Sequence, residues 1–336
     1  MSTTISVISG DGIGPEIMKS SIRVLDALDC DLEYEYVEAG LGALETQGDL
    51  LPGPTLESIR RNRIALKGPL TTPIGMGFRS INVTLREIFD LYANVRPVVS
   101  MPGTRSRYEG VDIITVRENT EGAYLAADSS LSEDGNTAES KMVITRKGSE
   151  RVARYAFELA RQAGRRKVTL VHKANILKTV SGLFLDVARD VAKSFPDISC
   201  EEMIVDATCM KLVMDPQQFD VIVTTNLFGD IISDLCAGLV GGLGLAPGAN
   251  IGKDVAIFEA VHGSAPDIAG QKLANPCALL LTSAQMLSHL GMQDKAQRLH
   301  GAITVTIGAA DRTTPDLGGT GNTESFTDAI ISRLEI

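Results

Sequence analysis

A β-branched run that leads directly into a helical pattern with two aspartates is the feature that most limits how this chain can fold. The run Asp220–Thr225 (DVIVTT) predicts a buried strand, and the segment Asn226–Asp234 after it predicts a helix. Asp230 and Asp234 are four residues apart, so a helix would place their carboxylates on one face, about 6 Å apart. A strand followed at once by a helix is typical of open α/β sheets, which bind ligands beyond the carboxyl ends of their strands.

The two aspartates have two interpretations. As a pair they can bind one divalent cation, which would offset the repulsion between the carboxylates. They can also be ordinary acidic residues near a helix start, where the helix dipole favours negative charge. This segment by itself leaves both interpretations open.

Length and charge narrow the class of protein. A chain of 336 residues, 44% hydrophobic and 22% charged, fits a globular protein of two domains. The formal net charge of −10 disfavours nucleic acid and anionic membranes, so we expect neither as a partner. An anionic substrate would therefore need a local cluster of arginines.

The cysteines and the beginning of the sequence bear on location. The five cysteines form no CxxC pair, which predicts reduced thiols rather than a disulfide framework or a metal site. The sequence opens directly into the strand-like Ile5–Ile8, without the pattern of a secretory signal. No apolar run is long enough to span a bilayer. We therefore expect a cytoplasmic enzyme.

The first strand leads into a glycine-rich turn. Gly10–Glu16 (GDGIGPE) predicts a turn into a helix that begins near Pro15. The standard dinucleotide-binding fingerprint needs a third glycine where Pro15 stands, so the standard Rossmann motif is disfavoured. Further predicted strands at Glu33–Val37 and Ile64–Leu70, with helices between them, indicate a mostly parallel sheet.

Three arginines lie at or near the next predicted element ends: Arg86, Arg96 and Arg117. Ser80 predicts the cap of a helix that begins near Asn82, which would bring Ser80, Asn82 and Arg86 together. Arg96 ends the following strand, and Arg117 follows the strand Val111–Val116. Guanidinium groups at strand ends suit bidentate binding of carboxylates, although each arginine alone can equally be a surface residue.

Other charged residues follow strands in the middle of the chain. Lys173 comes after the predicted strand Lys167–His172, where a lysine can act as a base if its neighbours lower its pKa, or can simply be solvated. Asp206 ends the predicted strand Glu201–Asp206. The polar segment 126–150, with a strand-like Lys141–Thr145, predicts a hairpin arm that is either a surface loop or a dimer contact.

Seven segments in order give the chain a specific resemblance: Gly10–Glu16, Tyr92–Pro97, Arg117–Gly122, His172–Asn175, Asn226–Asp234, Gly241–Asn250 and His262–Pro276. In these segments the chain resembles the β-decarboxylating dehydrogenases, the family of isocitrate, isopropylmalate, homoisocitrate and tartrate dehydrogenases. The resemblance implies a two-domain α/β fold with a mixed, mostly parallel sheet and helices on both faces. It implies a large domain from 1–97 and 244–336, and a small domain from 98–243. The arm at 126–150 would clasp a second subunit, so that a homodimer shares its active sites.

The resemblance also implies a set of site residues. Mg²⁺ or Mn²⁺ would be held by Asp230, Asp234 and Asp206, since carboxylate oxygens suit these hard ions. A tricarboxylic acid substrate would be bound by Ser80, Asn82, Arg86, Arg96 and Arg117. Lys173 of the partner subunit would be the base and Tyr124 the acid. NAD would be contacted by Ile13, Thr72, Asn175, His262, Gly263, Ala265, Asp267, Ile268 and Asn275.

Two short stretches bear on cofactor and substrate. The carboxylate of Asp267 would accept ribose hydroxyls and repel a 2′-phosphate, and Ile268 supplies no cation, so NAD is favoured over NADP. The stretch Arg79–Asn82 is similar to that of isocitrate dehydrogenases and lacks leucines for an isopropyl group. We therefore expect oxidative decarboxylation of isocitrate, as in the tricarboxylic acid cycle. Homoisocitrate dehydrogenase, with Arg79 as an added cation, and a non-catalytic regulatory subunit are the alternatives.

Overall fold

The computed structural model describes residues 2–73, 79–125 and 129–334. The chain forms two compact units. The first consists of Met1–Phe89, Val98–Glu109 and Ala237–Ile336, and the second of Asp90–Pro97 and Gly110–Cys236.

The predicted domain limits differ from these units at three short segments. Asp90–Pro97 lies in the second unit, whereas Val98–Glu109 and residues 237–243 lie in the first. The chain leaves one unit for the other within the strand Ala93–Val99, and not in a loop. A sequence pattern marks turns, so it does not locate a boundary that falls inside a strand.

The described elements, in chain order, are β1 (Thr3–Ile8), α1 (Gly14–Ala27), β2 (Leu32–Val37), α2 (Leu41–Gln47), α3 (Gly53–Asn62), β3 (Ile64–Lys67), α4 (Ile81–Ile88), β4 (Ala93–Val99), β5 (Asp112–Glu118), β6 (Ser129–Leu131), β7 (Ala138–Ser140), α5 (Arg146–Gln162), β8 (Lys167–His172), α6 (Val180–Ala192), β9 (Ser199–Ile204), α7 (Val205–Met214), β10 (Val221–Thr224), α8 (Asn226–Leu239), β11 (Pro247–Ile251), β12 (Ala256–Ala260), α9 (Cys277–His289), α10 (Gln293–Ala309) and α11 (Thr323–Ile331).

The first unit contains five strands in the order β2-β1-β3-β12-β11. Strands β1, β2, β3 and β12 run parallel, and β11 pairs antiparallel with β12. Helix α9 is apolar almost all round and buried along most of its length, because it packs against β11, β12, α1 and α10. The sheet is mixed and mostly parallel, with helices on both faces, as predicted.

The second unit contains β4, β5, β10, β8 and β9 in that order. The four residues of β10, Val221–Thr224, are all buried, and β10 pairs in parallel with β5 and β8. Helix α8 begins directly after β10, at Asn226. The strand-to-helix unit predicted at Asp220–Asp234 is therefore confirmed.

Several predicted element ends were wrong. Arg96 lies inside β4 and not at its end, and Arg117 lies inside β5 and not after it. Both side chains are buried. Asp206 lies in the first turn of α7, a helix that was not predicted. All three predictions took a charged residue to mark the end of a strand. Arg96 and Arg117 can instead lie inside strands because residues distant in sequence compensate their buried charges.

The polar arm is also built differently from the prediction. Its hairpin consists of β6 and β7, which pair antiparallel, and Lys141–Thr145 is not a strand. Helix α5 already begins at Arg146, because Thr145 caps it by accepting a hydrogen bond from the Gly148 N–H at 3.0 Å. Residues 126–128 of the predicted arm lie outside the described residues. Within the described part of the chain, no helix is long and apolar enough to cross a membrane.

Candidate active site

The predicted aspartate pair lies on the first turns of α8. Asp230 and Asp234 are one helical turn apart, and the helix start is brought very close to β5. A Cβ atom added at Gly229 would lie 2.6 Å from Cβ and 2.5 Å from Cγ of Arg117, so only glycine fits there. This close approach places the Arg117 side chain against the beginning of α8.

Arg117 is only 1% exposed, and its guanidinium is held by α8. Its Nε and Nη2 donate to Oδ1 of Asn226 at 3.0 and 2.7 Å, and its Nη1 donates to Oδ1 of Asp230. The guanidinium carbon also lies 4.9 Å from the ring centre of Tyr124. Arg117 is therefore fixed with its charge directed at Asp230.

Arg96 approaches the same helix from β4. Its Nη1 donates to Oγ of Ser233 at 2.7 Å and to Oδ1 of Asp234 at 3.0 Å. Its Nη2 lies 3.6 Å from Oδ1 of Asp230. Two buried arginines therefore face the two carboxylates and compensate their mutual repulsion.

Tyr124 completes this cluster. Its hydroxyl donates to Oδ2 of Asp230, and the side chain is 38% exposed. Partial burial and this hydrogen bond raise the pKa of Tyr124 above its usual value. The phenol is therefore protonated at neutral pH and can serve as a proton donor.

Asp206 and Lys173 form a separate pair. Nζ of Lys173 donates to Oδ1 of Asp206, and Asn175 lies exposed in the turn that follows β8. The described residues contain no group of three acidic, histidine or cysteine side chains that could hold a metal. Asp230 and Asp234 fit a hard divalent cation by their oxygen chemistry and spacing, and a cation bound there would need further ligands.

The predicted substrate-binding residues of the first unit lie on α4. Ser80 caps this helix by accepting a hydrogen bond from the Val83 N–H at 3.5 Å, which confirms the predicted cap. Asn82 and Arg86 are one turn apart on α4. Oδ1 of Asn82 is buried without a hydrogen-bond partner among the described residues, and Arg86 is 9% exposed. Helix α4 therefore carries a buried amide and a buried guanidinium close together.

The predicted cofactor loop follows β12 and contacts the turn before α1. The Ile13 N–H donates to the carbonyl of Ser264 at 2.8 Å, and the hydroxyls of Ser264 and Thr71 lie 2.7 Å apart. A Cβ at Gly12 would lie 2.0 Å from the Ser264 carbonyl oxygen, so this turn also needs glycine. The structure thus brings Ile13 and the Thr71–Thr72 turn together with the loop His262–Ile268.

Two side chains of this region offer groups that suit an adenosine. Burial lowers the pKa of His262, which is therefore neutral at pH 7, and its Nε2 has no hydrogen-bond partner among the described residues. Asn275 donates to Oδ2 of Asp316 at 2.9 Å and accepts from the Cys277 N–H at 2.9 Å, which fixes its amide. Gly263, Ala265, Asp267 and Ile268 lie on the same loop, with Asp267 exposed.

Sequence reasoning missed two buried charged residues of the first unit. Lys67 ends β3, and Glu259 lies within β12, where it forms an ion pair with Lys67 at 2.6 Å. Both could have been noticed as charged residues inside apolar strand segments, since such residues are seldom buried without a partner.

The chain is similar to known dehydrogenases over nearly its whole length. A protein-family model described as isocitrate/isopropylmalate dehydrogenase matches residues 4–330. The mitochondrial isocitrate dehydrogenase (NAD) catalytic subunit 5 of Arabidopsis thaliana is 51% identical over 332 residues, which cover 98% of this chain and 88% of that protein. The 3-isopropylmalate dehydrogenase of Archaeoglobus fulgidus is 49% identical over 331 residues, which cover 98% and 99% of the two chains.

A solved structure is similar to this chain in both fold and sequence. The crystal structure of isocitrate dehydrogenase from Methylococcus capsulatus superimposes with a TM-score of 0.95 at 53% identity and covers all of both chains. The prediction of a cytoplasmic location is contradicted by the relatives. The similar isocitrate dehydrogenase subunit of Arabidopsis thaliana is named as mitochondrial.

Proposed function

The chain belongs to the isocitrate/isopropylmalate dehydrogenase family, and on that premise we propose that it catalyses NAD-dependent oxidative decarboxylation of isocitrate to 2-oxoglutarate and CO₂. The observation that carries the choice of substrate is the polar character of α4. Ser80, Asn82 and Arg86 offer hydroxyl, amide and guanidinium groups to a third carboxylate. Among the described residues the buried amide oxygen of Asn82 has no hydrogen-bond partner, and packing against an isopropyl group would leave it unpaired.

The arginines would bind and orient the acid. Arg96 and Arg117 are buried and held on α8, so their guanidiniums are preorganised for carboxylates and need little reordering on binding. Arg86 would bind a further carboxylate from α4. Each bound carboxylate would restrict the orientation of the acid for hydride transfer to the nicotinamide.

Asp230 and Asp234, with Asp206 from a second copy of the chain, would hold Mg²⁺ or Mn²⁺. When bound, such a cation supplies positive charge that favours ionisation of the substrate hydroxyl and stabilises the negative charge left as CO₂ departs. Lys173 would accept the hydroxyl proton. Tyr124, which is protonated at neutral pH, would then deliver a proton to carbon.

A shared site in a homodimer is part of the proposal. Asp206 is paired with Lys173, and the described part of one chain contains no third acidic group at Asp230 and Asp234. Helix α7, which carries Asp206, also exposes an apolar face formed by Met210, Val213 and Met214. Such a face supports burial against a second copy.

NAD is the proposed cofactor. Asp267 is exposed on the loop that would receive the adenosine ribose, and its carboxylate would repel the 2′-phosphate of NADP. The neighbouring Ile268 offers no positive charge.

Homoisocitrate is the alternative substrate, and the Arg79 side chain argues against it. Arg79 donates through both terminal nitrogens to the carboxylate of Glu87 on α4. Its charge is thus already compensated within the chain, which disfavours recruiting it as an added cation for the longer acid. A regulatory subunit is disfavoured because Tyr124, Lys173 and the three aspartates are all present.

The proposal is tested with the purified single chain. We expect kcat/KM for isocitrate with NAD and Mg²⁺ or Mn²⁺ to exceed that for homoisocitrate, 3-isopropylmalate or tartrate by at least about tenfold, and to fall with NADP. Lys173→Met should abolish turnover, whereas Lys178→Met, at an exposed lysine in the same turn region, should not. Preference for another acid would refute the choice of substrate, and no turnover with any acid would favour a regulatory subunit.

A further inference from the structure

A hydrogen-bonded turn after β5 leads to Tyr124. Glu118, the last residue of β5, is only 4% exposed and accepts three hydrogen bonds from the residues that follow it. Its Oε1 accepts from the N–H and from the hydroxyl of Thr120, both at 2.8 Å, and its Oε2 accepts from the Glu121 N–H at 2.8 Å. The buried carboxylate of Glu118 therefore determines the direction in which the chain leaves the strand.

The side chain of Glu121 connects this turn to the beginning of α5. Its Oε2 accepts a hydrogen bond from the Thr145 N–H at 2.8 Å, and its Oε1 accepts from the Thr145 hydroxyl. Thr145 is the residue that caps α5, so the carboxylate lies at the N-terminus of the helix, where the dipole favours negative charge. The Gly122 N–H also donates to the Val143 carbonyl at 2.9 Å. The chain just before Tyr124 is thus held against the start of α5.

The same turn is connected to α8. Nδ2 of Asn226 donates to the Glu121 carbonyl at 3.0 Å, while Oδ1 of Asn226 accepts hydrogen bonds from the guanidinium of Arg117. Residues 122–125 then form a single turn of 3₁₀ helix, so Tyr124 lies within one turn of Glu121. A movement of Glu121 would therefore be passed on to the phenol.

The partners of the Tyr124 side chain are themselves assigned to ligands. The hydroxyl donates to Asp230, and the ring lies against the guanidinium of Arg117. In the proposed function Asp230 would bind the cation and Arg117 would bind the acid, so ligands would compete for both partners. The backbone of the turn is a support for the phenol that ligand binding does not draw away.

We propose that Glu118 and Glu121 are positioning residues for Tyr124. Glu118 shapes the turn and Glu121 holds it on α5, so that the phenol stays where it can give its proton to carbon. This inference rests on the proposed function, because it takes Tyr124 to be the acid. A displacement of about 1 Å can lower a catalysed rate by about a hundredfold, so hydrogen bonds outside the site can control the rate.

The proton step can be followed in reverse with the product 2-oxoglutarate. The step that delivers a proton to carbon also removes one, so the chain should exchange hydrogen for deuterium in D₂O at the carbon beside the keto group. Proton NMR measures this exchange with NADH and Mg²⁺ present and CO₂ removed, so that no hydride is transferred.

The variants for this measurement are Glu118→Gln and Glu121→Gln. Each replaces a carboxylate oxygen by an amide nitrogen, which cannot accept these hydrogen bonds. Each should lower the exchange rate by about tenfold or more, while Kd for isocitrate, measured by isothermal titration calorimetry with Mg²⁺, stays within about threefold. The matched control is Glu150→Gln, at an exposed glutamate on α5, which should change neither quantity.

Tyr124→Phe separates positioning from a general loss of structure. Positioning acts through the phenol, so adding Glu121→Gln to Tyr124→Phe should lower the remaining kcat by less than about twofold. A merely structural role would lower kcat by a similar factor with and without the phenol. Should Glu118→Gln fail to fold in thermal unfolding, Glu121→Gln, at a less buried carboxylate, decides the inference.

The inference is overturned if Glu121→Gln exchanges as fast as the unmodified chain, or if it lowers kcat equally in the Tyr124→Phe background. Failure of the proposed function would look different. If Tyr124→Phe itself exchanges at the unmodified rate, Tyr124 is not the acid and the inference is overturned with it. If the unmodified chain prefers another family acid, the keto product of that acid replaces 2-oxoglutarate, and the same ratios between variants decide the inference.

Discussion

Asp230 and Asp234 lie one turn apart on α8, but their surroundings differ. Asp230 is 34% exposed in its side chain and interacts with Arg117, Arg96 and Tyr124. Asp234 is 53% exposed and interacts with Arg96. Asp230 therefore compensates the fully buried guanidinium of Arg117, whereas Asp234 is more exposed and shares Arg96 with Asp230. The two substitutions to asparagine should have separable effects.

We expect Asp230→Asn and Asp234→Asn each to lower kcat/KM by at least about a hundredfold, because both would remove a metal ligand. Asp230→Asn should also lower the free energy of unfolding by about 1–2 kcal/mol, because buried Arg117 loses its counter-charge. Asp234→Asn should lower stability less, because Asp230, 3.6 Å from Arg96, still compensates that guanidinium. Urea denaturation and steady-state kinetics measure the two effects.

Asp254→Asn, at an exposed site of the first unit, serves as the control and should change neither quantity. Full activity in Asp234→Asn would show that the pair does not act as metal ligands. Equal stability of the two active-site variants would contradict the structural role of Asp230.

At the scale of elements, the parallel pairing of β3 with β12 brings Lys67 and Glu259 together. The folded protein holds the pKa of Glu259 at about 2, below its ordinary value of 4.5. A carboxyl whose pKa is lowered by folding adds stability above its unfolded pKa, and this stability is lost as pH falls through the folded pKa. The contribution should therefore be complete near neutral pH and should decline from about pH 4.5 towards pH 2.

We predict that the free energy of unfolding falls more between pH 6 and pH 3 in the unmodified chain than in Lys67→Met/Glu259→Gln. The difference should be about 2 kcal/mol, because the variant has no carboxyl at this position to protonate. Urea denaturation at a series of pH values measures it. Parallel curves for the two proteins would mean that Glu259 keeps an ordinary pKa in the folded state.

The accuracy of element prediction depended on where charges lie. The run Lys167–His172 was predicted as the strand that β8 forms, because its middle residues are β-branched and apolar. Strand β4 continues beyond Arg96, where the predicted strand ended, and β5 continues through Arg117, which the predicted strand Val111–Val116 did not include. The helix α7 was missed because its residues 205–214 show little apolar periodicity.

At the scale of the whole molecule, the apolar face of α7 is the strongest indication of a second copy. Met210 and Met214 are 55% and 72% exposed and lie one turn apart on the helix that carries Asp206. We predict that Met210→Glu/Met214→Glu yields a folded monomer without turnover, because the third carboxylate and Lys173 would no longer reach a neighbouring site. Sedimentation equilibrium combined with an activity assay measures both properties.

Val305→Glu is the matched control, since Val305 is 53% exposed but lies on α10 of the first unit. It should leave both the oligomeric state and the activity unchanged. An active monomer of the α7 variant would refute the shared site.

The sequence alone determined the α/β class, the cap at Ser80 and the placement of Asp230 and Asp234 on one helix face. These features follow from local patterns, because strand and helix periods, turn residues and caps act over a few neighbouring residues. Only the tertiary structure decided which charges meet: Arg117 with Asp230, Lys173 with Asp206, and Lys67 with Glu259. Such pairs depend on which strands become neighbours and in what register, and the order of residues along the chain does not reveal this directly.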